Sequence, residues 1–194
     1  MKSSLIASFV LAATLATSLQ AADQPADPAN HTSWNLYLDS REAHDMKMKQ
    51  GDKVLFIDVR DPTEIMFTGF TDVVDINIPF MIADRSRWND KKSLYAMENN
   101  PAFEADIAAT LAKRGLDKTT PVILMCRSGG ERGAPSAKML EGKGYQSVYV
   151  VVDGFEGGSV KDGERKNWRL VNGWKNANLP WSYKLNKDKM YFSH

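Results

Sequence analysis

The only cysteine of the chain is the residue best suited to carry out chemistry. Cys126 lies in the segment MCRSGGERG, residues 125–133, directly after an apolar run. Small residues at positions 128–130 allow the backbone to fold so that several N–H groups point inward, and such a loop in front of a helix binds an anion. Arg127 and Arg132 add two positive charges. Together these features favour the thiolate, the nucleophilic form of cysteine.

We therefore expect Cys126 to act as a nucleophile; a buried structural cysteine is the alternative. The residues expected to bind an anion beside it form the loop that follows: Arg127, Ser128, Gly129, Gly130, Glu131 and Arg132. No histidine is expected to reach this loop, because His31 and His194 lie near the termini and His44 lies on the first predicted helix.

Composition argues against several other kinds of protein. A single cysteine cannot form an intramolecular disulfide, a cysteine-based zinc cluster or a CxxC redox pair. The scattered histidines form no HExxH motif, so a metal enzyme is not expected. A formal net charge of +1 provides no basic field that would favour nucleic acid or an anionic membrane surface.

Apolar runs alternate with helical patterns along the chain. Runs without polar alternation are typical of strands covered on both faces of a parallel sheet, and they occur at residues 54–57, 122–125 and 148–152, with a further candidate at 73–78. Helices are predicted from Asp39, which has a capping-box partner at Glu42, to about Lys49, from Asn100 to Gly115, and over residues 134–144. An α/β fold follows, with Cys126 at the strand end where such sheets bind ligands.

The first 21 residues have the pattern of a secretory signal peptide. Lys2 precedes an apolar run from Leu5 to Leu19, and Ala21 and Ala22 offer small residues for cleavage. The run is shorter than the roughly 20 residues that a transmembrane helix needs. We expect residues 1–21 to direct export to the periplasm and then to be removed, which leaves no membrane attachment; an uncleaved anchor is the alternative.

Short motifs spread over residues 36–183 resemble, in order and context, those of the rhodanese-like domain family. They are IDVRDP at 57–62 with Glu64, NIP at 77–79, CRSG at 126–129, Gly144-Tyr145, DGF at 153–155, and Trp174 with Leu179-Pro180. The resemblance implies a parallel five-stranded sheet sandwiched between helices, with the cysteine in a loop at the strand ends.

The resemblance also implies sulfur transfer without a cofactor. The Cys126 thiolate would take a sulfane sulfur from a small anionic donor such as thiosulfate and hold it as a persulfide. It would then pass the sulfur to a thiophilic acceptor, a thiol or a cyanide-like molecule, which could belong to a partner protein. Asp58, Arg60 and Glu64 match residues that brace the active loop in this family, and Asp58 is expected to bind Arg132.

The length of the loop leaves two alternatives open. Glu131 occupies the fifth position after the cysteine, where common sulfurtransferase loops have Arg or Ser, and Arg132 follows it. The resulting Cys-x5-Arg pattern resembles the loop of dual-specificity phosphatases that share the fold. One alternative is therefore a phosphatase or arsenate-handling enzyme, although no leaving-group acid is identifiable and Glu131 is expected to form a salt bridge. The other is a non-catalytic sulfur carrier or binding module.

The remaining segments are expected to surround the domain. Residues 22–35 are polar and proline-containing and are expected to form a flexible lead-in. Residues 81–100 and 157–173 have the character of insertions, and the second is expected to be a solvated loop. Residues 184–194 form a basic and aromatic C-terminal tail.

Export makes the first testable prediction. When the full chain is expressed in a bacterium, we expect the protein recovered from the periplasm to begin within a residue or two of Ala22, because a cleaved signal is removed at its small-residue exit. N-terminal sequencing and intact mass measure this. A cytoplasmic protein that still begins at Met1 would contradict it.

Overall fold

The computed structural model describes residues 22–192, so the predicted signal peptide lies outside the described residues. The described strands are β1 (Tyr37–Leu38), β2 (Leu55–Asp58), β3 (Ile76–Asn77), β4 (Met81–Asn89), β5 (Leu94–Asn99), β6 (Val122–Met125), β7 (Val148–Val151), β8 (Gly158–Ser159) and β9 (Arg169–Val171). The described α-helices are α1 (Ser40–Gln50), α2 (Pro62–Thr68), α3 (Phe103–Lys113) and α4 (Gly133–Lys138).

Five of these strands form one parallel sheet in the order β1-β7-β6-β2-β3. The central strand, β6, pairs with β2 on one side and with β7 on the other, so that Leu124 lies beside both Ile57 and Val150. Every residue of β6 is buried. The predicted α/β fold, with a five-stranded parallel sheet between helices, is confirmed.

Successive side chains of the central strands enter two separate cores, as the pleat of a strand requires. One core contains Ile57 and Leu124 and is covered by α3 and α4. The opposite core contains Phe56 and Ile123 and is covered by α1 and α2. Each fully buried Leu, Ile or Phe stabilises this arrangement by roughly 1.5–3 kcal/mol relative to leaving it exposed. The apolar runs without alternation therefore reflect burial on both faces of the sheet.

The helix ends predicted from the sequence agree with the structure for α1 but not for α3 and α4. The capping box of α1 is present: Glu42 N donates to Asp39 Oδ1 and Asp39 N donates to Glu42 Oε2, each at 2.8 Å. α3 begins later than predicted, because Asn100 Oδ1 accepts from Ala102 N in a turn that precedes the helix. α4 ends early, at Lys138. No helix in the described part of the chain is long and apolar enough to cross a membrane.

Two elements of the domain have no counterpart among the predicted ones. β1 is only two residues long and gives no periodic pattern. α2 does have a start signal, since Asp61 caps it through Thr63 N and Pro62 occupies its first turn, but the helix is only seven residues long. The strand predicted at 73–78 is reduced to Ile76–Asn77.

Both predicted insertions are antiparallel hairpins. β4 and β5 pair from Met81–Asn99 to Asn89–Leu94 and carry the edge-to-face pair Trp88–Tyr95, with ring centroids 5.6 Å apart. β8 and β9 pair Gly158 with Val171. Residues 161–168 of the second insertion are exposed, as expected of a solvated loop, but the residues on either side of them pair as strands.

The chain ends of the described region pack on the domain. Residues 22–35 were expected to be a flexible lead-in, but Ser33 N donates to Glu141 Oε1 at 2.8 Å and Lys138 Nζ donates to Ala29 O at 2.7 Å. In the C-terminal tail, Lys189 Nζ donates to Val74 O at 2.8 Å. These three contacts tie the terminal segments to the body of the domain.

Asp153 joins three parts of the fold. It lies in the turn after β7, where Oδ1 accepts from Ser40 Oγ at 2.8 Å and Oδ2 accepts from Gly173 N at 2.9 Å. These contacts connect the start of α1 with the base of the β8–β9 hairpin. Burial raises the pKa of Asp153, although the hydrogen bonds from Ser40 and Gly173 oppose the shift.

The raised pKa of Asp153 predicts a pH dependence of stability. A carboxyl group with a higher pKa in the folded than in the unfolded protein binds its proton more tightly when folded, so its contribution to the free energy of unfolding grows as pH falls. We expect the difference in free energy of unfolding between the wild type and Asp153→Asn to increase from pH 7 to pH 5, measured by urea denaturation.

Asp162→Asn is the control, because it removes an exposed carboxylate from the nearby β8–β9 hairpin. It should change the free energy of unfolding by less than about 0.5 kcal/mol. A difference for Asp153→Asn that shrinks as pH falls would contradict the prediction.

Candidate active site

Cys126 lies at the C-terminal end of β6, where the central strand leaves the sheet. Its residue is only 2% exposed, yet it lines a cavity of about 520 Å³. Arg127, Ser128, Gly130, Glu131 and Arg132 line the same cavity. The structure therefore brings the predicted loop together around the thiol, with Gly129 as the member that does not line the cavity.

The backbone of this loop presents its N–H groups without protein acceptors. Among the described residues, none of the six N–H groups from Arg127 to Arg132 donates to a backbone or side-chain acceptor. The next N–H, of Gly133, donates to Gly130 O at 3.2 Å and closes the loop. A run of unused donors next to a thiol is the arrangement that binds an anion through main-chain dipoles.

The loop is held by direct backbone contact with the turn after β7. Phe155 N donates to Cys126 O at 2.9 Å, and Glu156 N donates to Arg127 O at 2.8 Å. Gly154, with φ of +63°, makes this approach possible: a Cβ there would lie 2.6 Å from both Cys126 O and Ser128 N. Gly129, with φ of +76°, is equally constrained, because its Cβ would overlap the backbone of Val152.

Arg132 binds Glu64 and not Asp58, which corrects the sequence expectation. Arg132 Nη1 and Nη2 donate to the two carboxylate oxygens of Glu64 at 2.5 and 2.9 Å. Burial on its own would lower the pKa of Arg132, but the hydrogen bonds and charge of Glu64 raise it above its usual value, with a smaller contribution from Cys126. Arg132 is thus held beside the thiol by a carboxylate from α2.

The other charged loop residues are paired in a similar way. Arg127 Nε donates to Glu156 Oε2 at 2.6 Å. Glu131 accepts from Lys92 Nζ at 2.8 Å across the mouth of the cavity, so the expected salt bridge of Glu131 is confirmed. The partners Glu64, Glu156 and Lys92 come from three different elements, so the loop is tied to α2, to the turn after β7 and to the first hairpin.

Asp58 and Arg60 form a buried ion pair beneath the site. Both side chains are fully buried, and Arg60 Nε donates to Asp58 Oδ1 at 2.9 Å. Arg60 also donates to Thr68 Oγ1 at the end of α2, and its guanidinium carbon lies 3.9 Å from the centroid of the Phe155 ring. The pair therefore connects β2, α2 and the turn that holds the active loop.

Both hairpins add residues to the cavity that sequence reasoning missed. Met81, Lys92, Leu94 and Met97 come from β4, β5 and the turn between them, and Arg169 begins β9. The excess of basic residues in these segments was visible in the sequence, but the strand pairing that brings them to the cavity was not. Among residues 22–192, no group of three or more His, Cys, Asp or Glu side chains is arranged to hold a metal ion.

A second cavity, of about 620 Å³, lies between α1 and the C-terminal segment. Its lining contains no thiol, and its lysines face carboxylates: Lys47 Nζ lies 2.7 Å from Asp75 Oδ2, and Lys189 Nζ lies 3.9 Å from Asp72 Oδ1. The chemistry of the chain is therefore better assigned to the cavity at Cys126, although that one is smaller.

A parallel sheet with a buried cysteine in a loop of unused N–H groups at the strand ends defines an α/β protein with a thiol-centred anion site. The profile of the rhodanese-like domain family matches residues 40–161, which is more than half of the chain. The protein belongs to the rhodanese-like domain family.

Two proteins are similar to this chain in sequence, and one solved structure is similar to it in fold. The uncharacterised protein RP600 of Rickettsia prowazekii is 29% identical over 96 residues, 49% of this chain and 67% of that protein. Its homologue in Rickettsia rickettsii is 29% identical over 146 residues, 74% of this chain and 94% of that protein. The crystal structure of Rv0390 from M. tuberculosis superimposes with a TM-score of 0.54 at 25% identity, covering 76% of this chain and 97% of Rv0390.

The Arg132–Glu64 pair predicts a specific stability difference between two Glu→Gln variants. Glu64→Gln leaves the guanidinium of Arg132, only 13% exposed in its side chain, without a carboxylate, and should lower the free energy of unfolding by about 2 kcal/mol. Glu131→Gln breaks the exposed pair with Lys92 and should cost less than about 0.5 kcal/mol. Urea denaturation of both variants measures the difference; equal costs would show that Glu64 does not anchor the loop.

Proposed function

We propose that the protein is an exported sulfurtransferase in which Cys126 carries a sulfane sulfur as a persulfide. The observation that carries this proposal is the run of six unused N–H groups, from Arg127 to Arg132, next to the only thiol of the chain. A persulfide places its negative charge on a sulfur one bond beyond Sγ, and a loop of main-chain donors stabilises such a charge without a metal.

The charges around the cavity support an anionic donor. Four cationic side chains line it, namely Lys92, Arg127, Arg132 and Arg169, against the two carboxylates of Glu64 and Glu131. A cleft with an excess of one charge raises the local concentration of ligands of the opposite charge. Thiosulfate, with two negative charges, is therefore a suitable test donor.

The reaction is balanced without a further reagent. The Cys126 thiolate attacks the outer sulfur of thiosulfate, a new S–S bond forms, and the old S–S bond breaks with its electron pair leaving on sulfite. A thiophilic acceptor such as cyanide or a thiolate then attacks the outer sulfur of the persulfide and regenerates the Cys126 thiolate. The loop N–H groups are suited to hold the negative charge in both steps.

Phosphatase or arsenate chemistry receives less support from the loop. In a Cys-x5-Arg loop the arginine would brace the oxygens of the bound oxyanion, and Arg132 does line the cavity. However, both of its terminal nitrogens already donate to Glu64. This engagement favours a role for Arg132 in holding the loop. A sulfur carrier needs the same persulfide site, so it differs from the enzyme only in turnover.

One experiment distinguishes these activities. Thiosulfate should add the mass of one sulfur atom to the wild type, dithiothreitol should remove it, and cyanide should release thiocyanate catalytically. Cys126→Ser should abolish both the mass gain and thiocyanate formation, because the nucleophile is lost. Intact mass spectrometry and thiocyanate assay provide the measurements, with Ser147→Ala, which does not line the cavity, as a control that keeps the thiol and the whole loop.

The other outcomes have definite meanings. Hydrolysis of a small aryl phosphate that depends on Cys126 and Arg132, without a persulfide, would replace sulfur transfer with phosphatase action. A persulfide that forms but does not turn over with cyanide or a small thiol would indicate a sulfur carrier. Absence of both persulfide and hydrolysis would contradict the proposal.

A further inference from the structure

Half of the exposed large apolar side chains lie on the two hairpins. Twelve such side chains are exposed among residues 22–192, and six of them belong to the segments 81–100 and 157–173. The six are Trp88, Leu94, Tyr95, Trp168, Leu170 and Val171. Soluble domains seldom leave apolar side chains grouped in this way unless another molecule covers them. The two hairpins are therefore a candidate interaction surface.

The aromatic members of this set flank the entrance to the active-site cavity. Tyr95 points to the same face of β5 as Met97, which lines the cavity, because side chains alternate along a strand. Trp88 packs edge to face against Tyr95, with the ring centroids 5.6 Å apart. On the second hairpin, Trp168 directly precedes Arg169, which also lines the cavity. A molecule that covers the entrance would contact both hairpins.

The hairpins also differ in charge from the rest of the protein. Segments 81–100 and 157–173 contain eight Lys and Arg residues against five Asp and Glu residues, which gives them a net charge of +3. The remaining residues from 22 to 194 contain sixteen basic and nineteen acidic residues, a net charge of −3. The near-zero charge of the whole chain thus conceals a basic surface around the cavity.

Most of the exposed cations on the hairpins are free to meet a partner. Arg87 is paired with Asp84 and Glu98, and Lys92 is paired with Glu131. In the part of the chain that the structure describes, five other exposed cations form no salt bridge: Arg85, Lys91, Lys161, Arg165 and Lys166. Three exposed carboxylates of the hairpins are likewise unpaired there: Asp90, Asp162 and Glu164. The excess of unpaired cations attracts an acidic surface.

We propose that the two hairpins form a docking surface for a partner protein whose contact segment is acidic and partly apolar. Protein interfaces combine aromatic anchors with a charged rim, and Trp, Tyr and Arg are enriched among the side chains that contribute most to binding. The carboxylates among the cations favour a protein over a uniform polyanion such as nucleic acid or an anionic membrane. This inference goes beyond the proposed function, because it holds for any reaction at Cys126.

The test uses Cys126 as a reporter of docking. Two short peptides have a central cysteine between two phenylalanines, and one carries four glutamates where the other carries four lysines. Each cysteine is activated as a mixed disulfide with thionitrobenzoate. The Cys126 thiolate attacks the peptide sulfur, a new S–S bond forms, and thionitrobenzoate leaves with the electron pair of the old S–S bond, which absorbance records. The readout is the ratio of the acidic to the basic second-order rate constant.

The variant that combines Lys91→Glu, Arg165→Glu and Lys166→Glu tests the charge of the surface. Because these cations no longer attract the acidic peptide, the ratio should fall by about ten-fold or more relative to the wild type in about 0.1 M salt. The difference should largely disappear in about 1 M salt, where the screening length is only about 3 Å.

The matched control combines Lys49→Glu, Lys113→Glu and Lys143→Glu. These lysines are exposed, and each precedes a strand of the parallel sheet, so they lie at the edge opposite Cys126. The net charge changes by the same amount, but the ratio should change by less than about two-fold, because the distance exceeds the screening length. An unchanged ratio in the hairpin variant, or an equal fall in this control, would overturn the docking surface.

The aromatic side chains are tested with a second acidic peptide that has alanines in place of its phenylalanines. Trp88→Ala and Trp168→Ala should each lower the preference for the phenylalanine peptide by about three-fold or more, because apolar contact is lost. Tyr183→Ala, which is 63% exposed and lies outside the hairpins, should leave that preference unchanged. The same preference in all three variants would remove the aromatic side chains from the surface.

Binding without a reaction completes the test. In Cys126→Ser, the hairpin charge variant should bind a cysteine-free form of the acidic phenylalanine peptide about ten-fold more weakly than its parent, measured by calorimetry. Equal binding would contradict the proposal whatever Cys126 does. Duplex DNA or phosphatidylglycerol vesicles that compete as strongly as this peptide would show a general polyanion surface and not a protein site. Since no persulfide is involved, failure of the proposed sulfur transfer leaves these results unaffected.

Discussion

The site depends on the direct contact of two backbone segments at the ends of neighbouring strands. The loop after β6 and the turn after β7 approach so closely that a Cβ at Gly154 would lie 2.6 Å from Cys126 O. Phe155 N and Glu156 N then satisfy the carbonyls of Cys126 and Arg127. These two carbonyls are thus satisfied by the turn, whereas the N–H groups of residues 127–132 have no acceptor in the described part of the chain, so an anion can be stabilised at the thiol.

Charge pairing around that contact decides which cations remain for a ligand. The buried Asp58–Arg60 pair supports the turn through the Phe155 ring, and Glu64 and Glu156 each neutralise one arginine of the loop. The Arg132–Glu64 pair is largely buried, and losing its carboxylate is expected to cost about 2 kcal/mol, so Arg132 is better suited to hold the loop than to exchange partners during a reaction. Arg169, at the start of β9, also lines the cavity, and its side-chain hydrogen bond within the described residues goes to a backbone carbonyl and not to a carboxylate.

The features that short stretches of sequence determine, the core strands and the loop at Cys126, were predicted correctly. Unbroken apolar runs identified β2, β6 and β7, and small and basic residues identified the loop at Cys126, because burial on two faces and a tight anion loop restrict the residues at each position. The partner of Arg132 was predicted wrongly, since Asp58 and Glu64 both lie near the end of β2 in the sequence. Arg132 binds Glu64 because helix α2 places that carboxylate next to the loop. The carboxylate of Asp58 is instead bound by Arg60. Arg169 reaches the cavity through the pairing of β8 with β9. The sequence of that hairpin has no periodic pattern from which the pairing could be predicted.

The topology nevertheless explains why both hairpins surround the thiol. In a parallel sheet, every segment that follows a strand emerges at the same edge, and Cys126 lies at that edge after β6. The β4–β5 hairpin follows β3 and the β8–β9 hairpin follows β7, so added chain at either point must lie near the cavity. The sheet and its tight turn fix the position of the nucleophile, and the two hairpins add side chains to the cavity around it. For the proposed sulfur transfer, we therefore expect the loop to supply the nucleophile and the hairpins to influence which ligands reach it.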